Sequence, residues 1–406
     1  LSRAEIRVGL LNVPLTYPVP ENVAFGLSGM LTPGLTAAGF CNPPGLAEKL
    51  LKHVPSYVID ISVQKHHAER KAFLARLEAM VEARVKAALY LLQSFKVDFF
   101  FVVFVALDRL FHLFYRYLIP EDPLFSTKKA ESVRRTVLSV AKHIDRFIGE
   151  VAQKFDSLIV LSDHGFRPEE GKFYLPLFLK KHGLFFYSSS LRERISNLAF
   201  HIIGRRTLKK VLPAKFLSHQ LSLSAPEPDP SSRAWPSELA SQGIWCLNSE
   251  VRELLIDIFK REKDPRSGKA LVSGLWRREE LYSGPFISRI PHLVVELANG
   301  GIELSPFALG TRYLHLSPPD SSGGHHDREG ILLAYLKGGD FKKSDMKNRR
   351  DKRLYSREKE HFPEGSTWEM VDVTPTILKL FNLPIPEPLE GVARFLAANN
   401  EDCDRK

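Results

Sequence analysis

Cysteine is scarce in this chain: three residues in 406, Cys41, Cys246 and Cys403, far apart and without a CxxC pair. That argues against a disulfide framework and a thiolate metal site, and it predicts a reducing, cytoplasmic setting. Long apolar runs are lacking too. The longest, Phe99 to Leu107, is closed by Asp98 and Asp108 and falls far short of the ~20 residues that cross a bilayer, so no transmembrane helix is expected. No internal repeat of fixed period occurs. An initiating methionine is absent as well: Leu1 opens the chain, and Ala4 to Asn12 already reads as the last turn of a helix running into a buried strand. A fragment whose first elements are missing is therefore expected.

What is present suits an ordinary folded protein. An apolar content of 44% over 406 residues can bury a full core in one large domain or two. The net charge of +10 favours anionic partners, but the excess sits in two surface-like stretches, Arg192 to Lys215 and Lys342 to Arg357, and a basic total does not by itself make a nucleic-acid binder.

The hydrophobic pattern alternates between two periods. Helical spacing runs from about Glu69 to Phe95, through Phe73, Leu77, Met80, Val81, Val85 and Leu89, and again from Lys129 to Phe155. Between and after these lie Arg7 to Asn12, Phe99 to Leu107 and Ser157 to Leu161, short apolar runs expected as strands covered on both faces. Gly26 to Pro44 reads as a Gly/Pro/Thr-rich loop, Ser249 to Arg261 as a capped helix, Pro291 to Leu297 and Gly330 to Leu336 as strands, and Val371 to about Asn382 as a final helix. The alternation predicts an α/β fold with a doubly wound, mostly parallel sheet sandwiched by helices. The expected organisation is an incomplete core over 1–187, an insertion or lid over 188–285, the rest of the core over 286–397 and a charged tail over 398–406.

Three short pieces carry candidate chemistry. Asp108 is expected at the end of a buried strand, with His112 one helical turn later on the same face, so one ion can take both. Asp163-His164 follows another buried strand and precedes Gly165, which permits a sharp backbone turn. Gly324-His325-His326 lies in a glycine-rich loop before a further strand, and spacing alone leaves open which imidazole is used. In open α/β sheets catalytic groups gather beyond the carboxyl ends of the strands, where Asp108 and Asp163 are both expected. Mixed Asp and His donors suit a borderline-soft divalent ion, and two such ions about 4 Å apart clamp the attacking and leaving oxygens of a phosphoryl transfer.

At these residues the chain resembles the alkaline phosphatase superfamily, specifically its type I phosphodiesterase/nucleotide pyrophosphatase branch, and looks most like the cytoplasmic prokaryotic, especially archaeal, members. The resemblance runs over nearly the whole chain, through Asn12 to Pro18, Ser28 to Gly34, Asp108 to His112, Ser162 to Phe166, His326 to Gly330 and Asp372 to Leu378. It implies hydrolysis of a small phosphate ester or nucleotide through two divalent ions, zinc first, with manganese or iron as alternatives. One ion would be held by Asp108, His112 and His326, the second by Asp163 and His164. It further implies another Asp ligand and a Thr or Ser nucleophile upstream of Leu1, so no catalytic nucleophile is assigned within the chain and the 406 residues are expected to be inactive alone. A phosphomutase of the same superfamily and a catalytically incomplete anion-binding relative are the competing readings. The natural substrate and the oligomeric state are not legible.

Overall fold

The computed structural model describes residues 1–61, 70–186, 228–237, 242–265, 267–307, 311–336, 368–387 and 389–394. The basic stretch Arg192 to Lys215, the charged stretch Lys342 to Arg357 and the tail over 398–406 lie outside these residues. The fold is mixed α/β. The chain divides into two compact units, Leu1–Gly165 with Arg328–Lys406, and Phe166–Asp327. Among the described residues no helix is long and apolar enough to cross a membrane.

The first unit is built around a four-stranded sheet in the order β3-β2-β1-β4, with β1 at Val8–Val13, β2 at Phe25–Ser28, β3 at Cys41–Asn42 and β4 at Phe99–Val102. β1 runs parallel to both β2 and β4, and β3 closes the edge antiparallel to β2. The segment read as a loop over Gly26 to Pro44 therefore contains strand residues of β2 and both residues of β3. Leu11, Phe25 and Leu27 are wholly buried, and Gly9 lets the Phe25 ring cross β1 closely, since a Cβ there would stand 2.6 Å from it.

The helices that follow the first three strands in this unit include α1 (Leu46–His53), α2 (Arg70–Ser94), α3 (Ala106–Phe114) and α4 (Lys128–Ala152). α2 changes role along its length. Its first turns carry Phe73, Leu77, Met80 and Val81 into a cluster with Leu110 and Phe114 of α3 and Val133 and Val140 of α4. Its later turns carry Ala83, Ala87, Ala88 and Leu91 toward Leu11, Phe25 and Leu27. α4 starts where Thr127 accepts a hydrogen bond from the Ala130 N–H through its hydroxyl, an N-cap strengthened by Glu131 in the first turn.

β5 (Ser157–Leu161) matches the expected strand residue for residue, but its partner β15 (Leu332–Leu336) runs antiparallel to it, outside the β1 sheet. Helix α8 (Val373–Leu380) closes the unit after a 3₁₀ turn at Met370–Asp372. The nine-residue apolar run splits in two: strand β4 ends at Val102 and α3 begins at Ala106, so Asp108 stands in the first turn of a helix, not at the end of a strand. Phe101 is 42% exposed, so β4 is not covered on both faces by the described residues.

The second unit has its own core. β8 (Ala234–Pro236), β9 (Gly243–Cys246), β10 (Val272–Arg277) and β11 (Leu293–Leu297) form an antiparallel sheet in the order β10-β11-β9-β8. A smaller sheet, β12-β7-β13, joins β7 (Gly171–Tyr174), β12 (Ile302–Ser305) and β13 (Leu314–Leu316), and β6 (Gly165–Pro168) pairs with β14 (Gly324–Asp327). Helix α6 (Ser249–Arg261) spans the expected residues. Asn248 accepts from the Val251 N–H at its start, and Val251, Leu255, Ile256 and Phe259 make its buried stripe. Helix α5 (Leu175–Lys181) contributes Phe178, which stacks on Phe259 at 4.7 Å, and α7 (Arg278–Leu281) is a single turn after β10.

Candidate metal centre

Four of the five proposed ligands belong to the first unit, and they form one chain of contacts. Asp108 and His112 lie one turn apart on α3, and the His112 Nε2 stands 3.3 Å from Asp108 Oδ1. His164, in the turn after β5, brings its own Nε2 to 3.8 Å from that same oxygen. It also stands 3.6 Å from Asp163 Oδ1. Two imidazole nitrogens thus converge on a single carboxylate oxygen, with a second carboxylate behind them. Asp108, His112 and His164 are half-buried, while the Asp163 side chain is 79% exposed.

The turn that carries His164 is held by its neighbours. The Ser162 hydroxyl accepts from the Ile331 N–H at 2.9 Å, and Gly330 packs against it so closely that a Cβ would stand 2.5 Å from Ser162 Oγ. The His164 Nδ1 lies 3.1 Å from the Gly165 carbonyl. A carbonyl only accepts, so Nδ1 carries the proton there, and in the neutral ring Nε2 keeps its lone pair facing Asp108. In that tautomer Nε2 is the nitrogen able to bind a divalent ion.

Sequence reading missed two members of this neighbourhood. Arg109, adjacent to Asp108, donates from NH1 to Asp108 Oδ2 at 2.7 Å. It donates from Nε and NH2 to the two oxygens of Asp60 at 3.1 and 2.6 Å. Burial works against the charge of Arg109, but the hydrogen bonds and charges of Asp60 and Asp108 outweigh it and raise its pKa. Asp60 sits 49 positions from Arg109; its only signal is a carboxylate after the apolar Val58-Ile59 pair.

His326 belongs to the second unit, on β14. Its ring meets Phe166 edge-on at 5.2 Å and lies parallel to that of His325 at 5.9 Å. Asp327, next to it, is ion-paired with Arg167.

The sequence matches the model of the family described as type I phosphodiesterase / nucleotide pyrophosphatase over residues 3–301. The chain belongs to this family. The matched span includes Asp108, His112, Asp163 and His164 and ends before His326, so it is shorter than the near-complete resemblance expected from the motifs. Among solved structures, phosphonoacetate hydrolase from Sinorhizobium meliloti 1021, in complex with phosphonoformate, is similar at 14% identity and a TM-score of 0.35. That match covers 82% of this chain and 66% of the other, so the chain spans a little under two thirds of that protein. No curated protein sequence matches it.

Proposed function

We propose that this family member is a metal-dependent hydrolase of phosphodiester or nucleotide pyrophosphate bonds, working through two divalent ions, zinc first, with manganese or iron as alternatives. The observation that carries the reading is the convergence of His112 and His164 Nε2 on Asp108 Oδ1, with Asp163 adjoining. This donor set is mixed oxygen and nitrogen with no sulfur, and it fits a borderline-soft divalent ion. When bound, such ions supply Lewis-acid stabilisation of charge on the phosphoryl oxygens. The chain's own residues hold and orient the donors: α3 fixes Asp108 and His112 one turn apart, and the Gly165 carbonyl fixes the His164 tautomer.

The resemblance groups Asp108, His112 and His326 on one ion and Asp163 and His164 on the other, and assigns attack on phosphorus to a Thr or Ser not among these residues. An alkaline phosphatase-like doubly wound sheet, with a lid over 188–285, is the architecture that goes with it. A reducing, cytoplasmic setting belongs to the same reading.

The test is hydrolysis of bis(p-nitrophenyl) phosphate by the full gene product. Turnover should vanish with chelator, return with zinc and fall roughly 10²-fold or more in His112→Ala. Chelator-resistant turnover, or full activity in His112→Ala, overturns the proposal, and zinc-bound protein that releases no nitrophenol redirects it to a phosphomutase or an anion-binding relative.

A further inference from the structure

The Asp108 carboxylate has two oxygens with different neighbours. Oδ1 faces the imidazoles of His112 and His164, whereas Oδ2 accepts a hydrogen bond from Arg109 at 2.7 Å. Arg109 is not a lone surface cation that happens to reach the site. Its Nε and NH2 donate to the two oxygens of Asp60 in a fork, NH2 also reaches Met30 Sδ, and the Asp60 Oδ1 accepts in addition from the Ile61 N–H at 2.8 Å. The guanidinium and Asp60 are both largely shielded, with side chains 17% and 22% exposed. A planar guanidinium gripped at both ends by carboxylates has little freedom to rotate.

We propose that Arg109, clamped by Asp60, is a positioning residue that restricts Asp108 to monodentate ligation through Oδ1 and thereby selects small, low-coordinate ions such as zinc over large ones such as calcium. The inference rests on Asp108 being a ligand, as in the function proposed above. The physical argument has two parts. Calcium takes six to eight oxygens and favours bidentate carboxylates, so a carboxylate with one oxygen already hydrogen-bonded serves it poorly. Zinc takes four ligands and needs one oxygen from each carboxylate. Placing a cation beside a metal ligand would ordinarily repel the metal. Here Asp60 cancels that charge, so the site gains the orienting hydrogen bond without a net positive neighbour.

Asp60 holds Arg109 and is not itself among the proposed ligands, which makes it the sharper probe. Asp60→Asn removes the compensating charge and loosens the fork while leaving Asp108 itself unchanged. Arg109→Gln removes the charge and the guanidinium hydrogen bond to Oδ2. Partners of this kind behind a ligand typically contribute 10–100-fold to metal affinity. The experiment measures binding of Zn²⁺ and Ca²⁺ separately by titration calorimetry, with Co²⁺ absorption as a reporter of coordination number, on the wild-type protein, Asp60→Asn, Arg109→Gln and His112→Ala. Circular dichroism establishes that each variant is folded.

The expected result is that both Asp60→Asn and Arg109→Gln bind Zn²⁺ about 10–100-fold more weakly. In Arg109→Gln the zinc-to-calcium preference narrows by at least the same factor, and the intense visible bands of four-coordinate Co²⁺ weaken. If Arg109→Gln does not fold, Asp60→Asn alone decides the matter through its Zn²⁺ affinity and Co²⁺ spectrum. Unchanged zinc affinity and Co²⁺ spectra in the folded variants, with His112→Ala clearly impaired, overturn the role of Arg109. Unimpaired metal binding in His112→Ala instead overturns the ligand assignment beneath it.

Discussion

Replacing Arg84 should separate two opposing terms in the first unit. Its guanidinium, on α2, is among the largest fully buried side chains, and burial lowers its pKa. Three of its hydrogen bonds go to main-chain carbonyls: NH1 to Val103 at 3.1 Å, and NH2 to Val58 and Ile59 at 2.8 and 2.9 Å. Its plane lies over the Tyr57 ring, 5.1 Å from the centroid. Removing the guanidinium relieves a desolvation cost of several kcal/mol, which favours the variant. Against this, the Val58 and Ile59 carbonyls lose this partner, at roughly 1–3 kcal/mol each, while Val103 keeps the Asn12 amide at 3.3 Å. Because the cost of stripping one side of a buried polar contact generally exceeds the relief, Arg84→Met should lose about 2–4 kcal/mol, and Arg84→Ala about 1–2 kcal/mol more for its cavity. The assay is equilibrium urea unfolding followed by circular dichroism. Val58 and Ile59 directly precede Asp60, so zinc affinity should also weaken in Arg84→Met. A variant as stable as wild type, or more so, would refute the reasoning by showing that desolvation of the guanidinium outweighs its three hydrogen bonds.

Two further outcomes are expected. Burial pushes the Asp372 carboxyl up, but N–H donors from Val392 and Glu369 and the Arg394 guanidinium outweigh it and hold its pKa below the usual value. A carboxyl depressed in the folded state contributes stability above its unfolded pKa of about 3.9, and that contribution is lost as pH falls through the folded value. Thermal melts from pH 7 to pH 3 should show Asp372→Asn less stable at neutral pH and flatter toward acid; parallel curves for the two proteins would contradict this. Gly29→Ala should destabilise the first unit by about 1–3 kcal/mol, because its Cβ would stand 2.4 Å from the Asn12 carbonyl oxygen, a backbone atom that cannot rotate away. Urea unfolding unchanged within about 0.5 kcal/mol would count against that packing.

Elements with a local signal were legible. The capped helix expected over Ser249 to Arg261 is α6, and the run of four apolar residues after Ser157 located β5 to the residue. The run Phe99 to Leu107 misled because strand and helix meet inside it with no polar residue to mark the join, and Val105, the residue before α3, makes no side-chain cap. Strand direction was equally hidden: an apolar run reads the same whether its neighbour is parallel, as for β4 on β1, or antiparallel, as for β15 on β5.

The sequence by itself determined the chemical inventory: Asp108, His112, Asp163, His164 and His326 in an order specific enough to name a family, and a cysteine count that left thiolate sites out. Residue type and short-range spacing carry that information, because a pair of donor side chains one turn apart depends only on the helix that bears it. Tertiary structure alone decided which groups meet across the chain. It brought His164 to the Asp108 oxygen that His112 already faces, and it delivered Asp60 to Arg109 from 49 positions away. Contacts of that range depend on how whole elements pack, and packing is a sum over the buried faces of both partners that no local pattern contains.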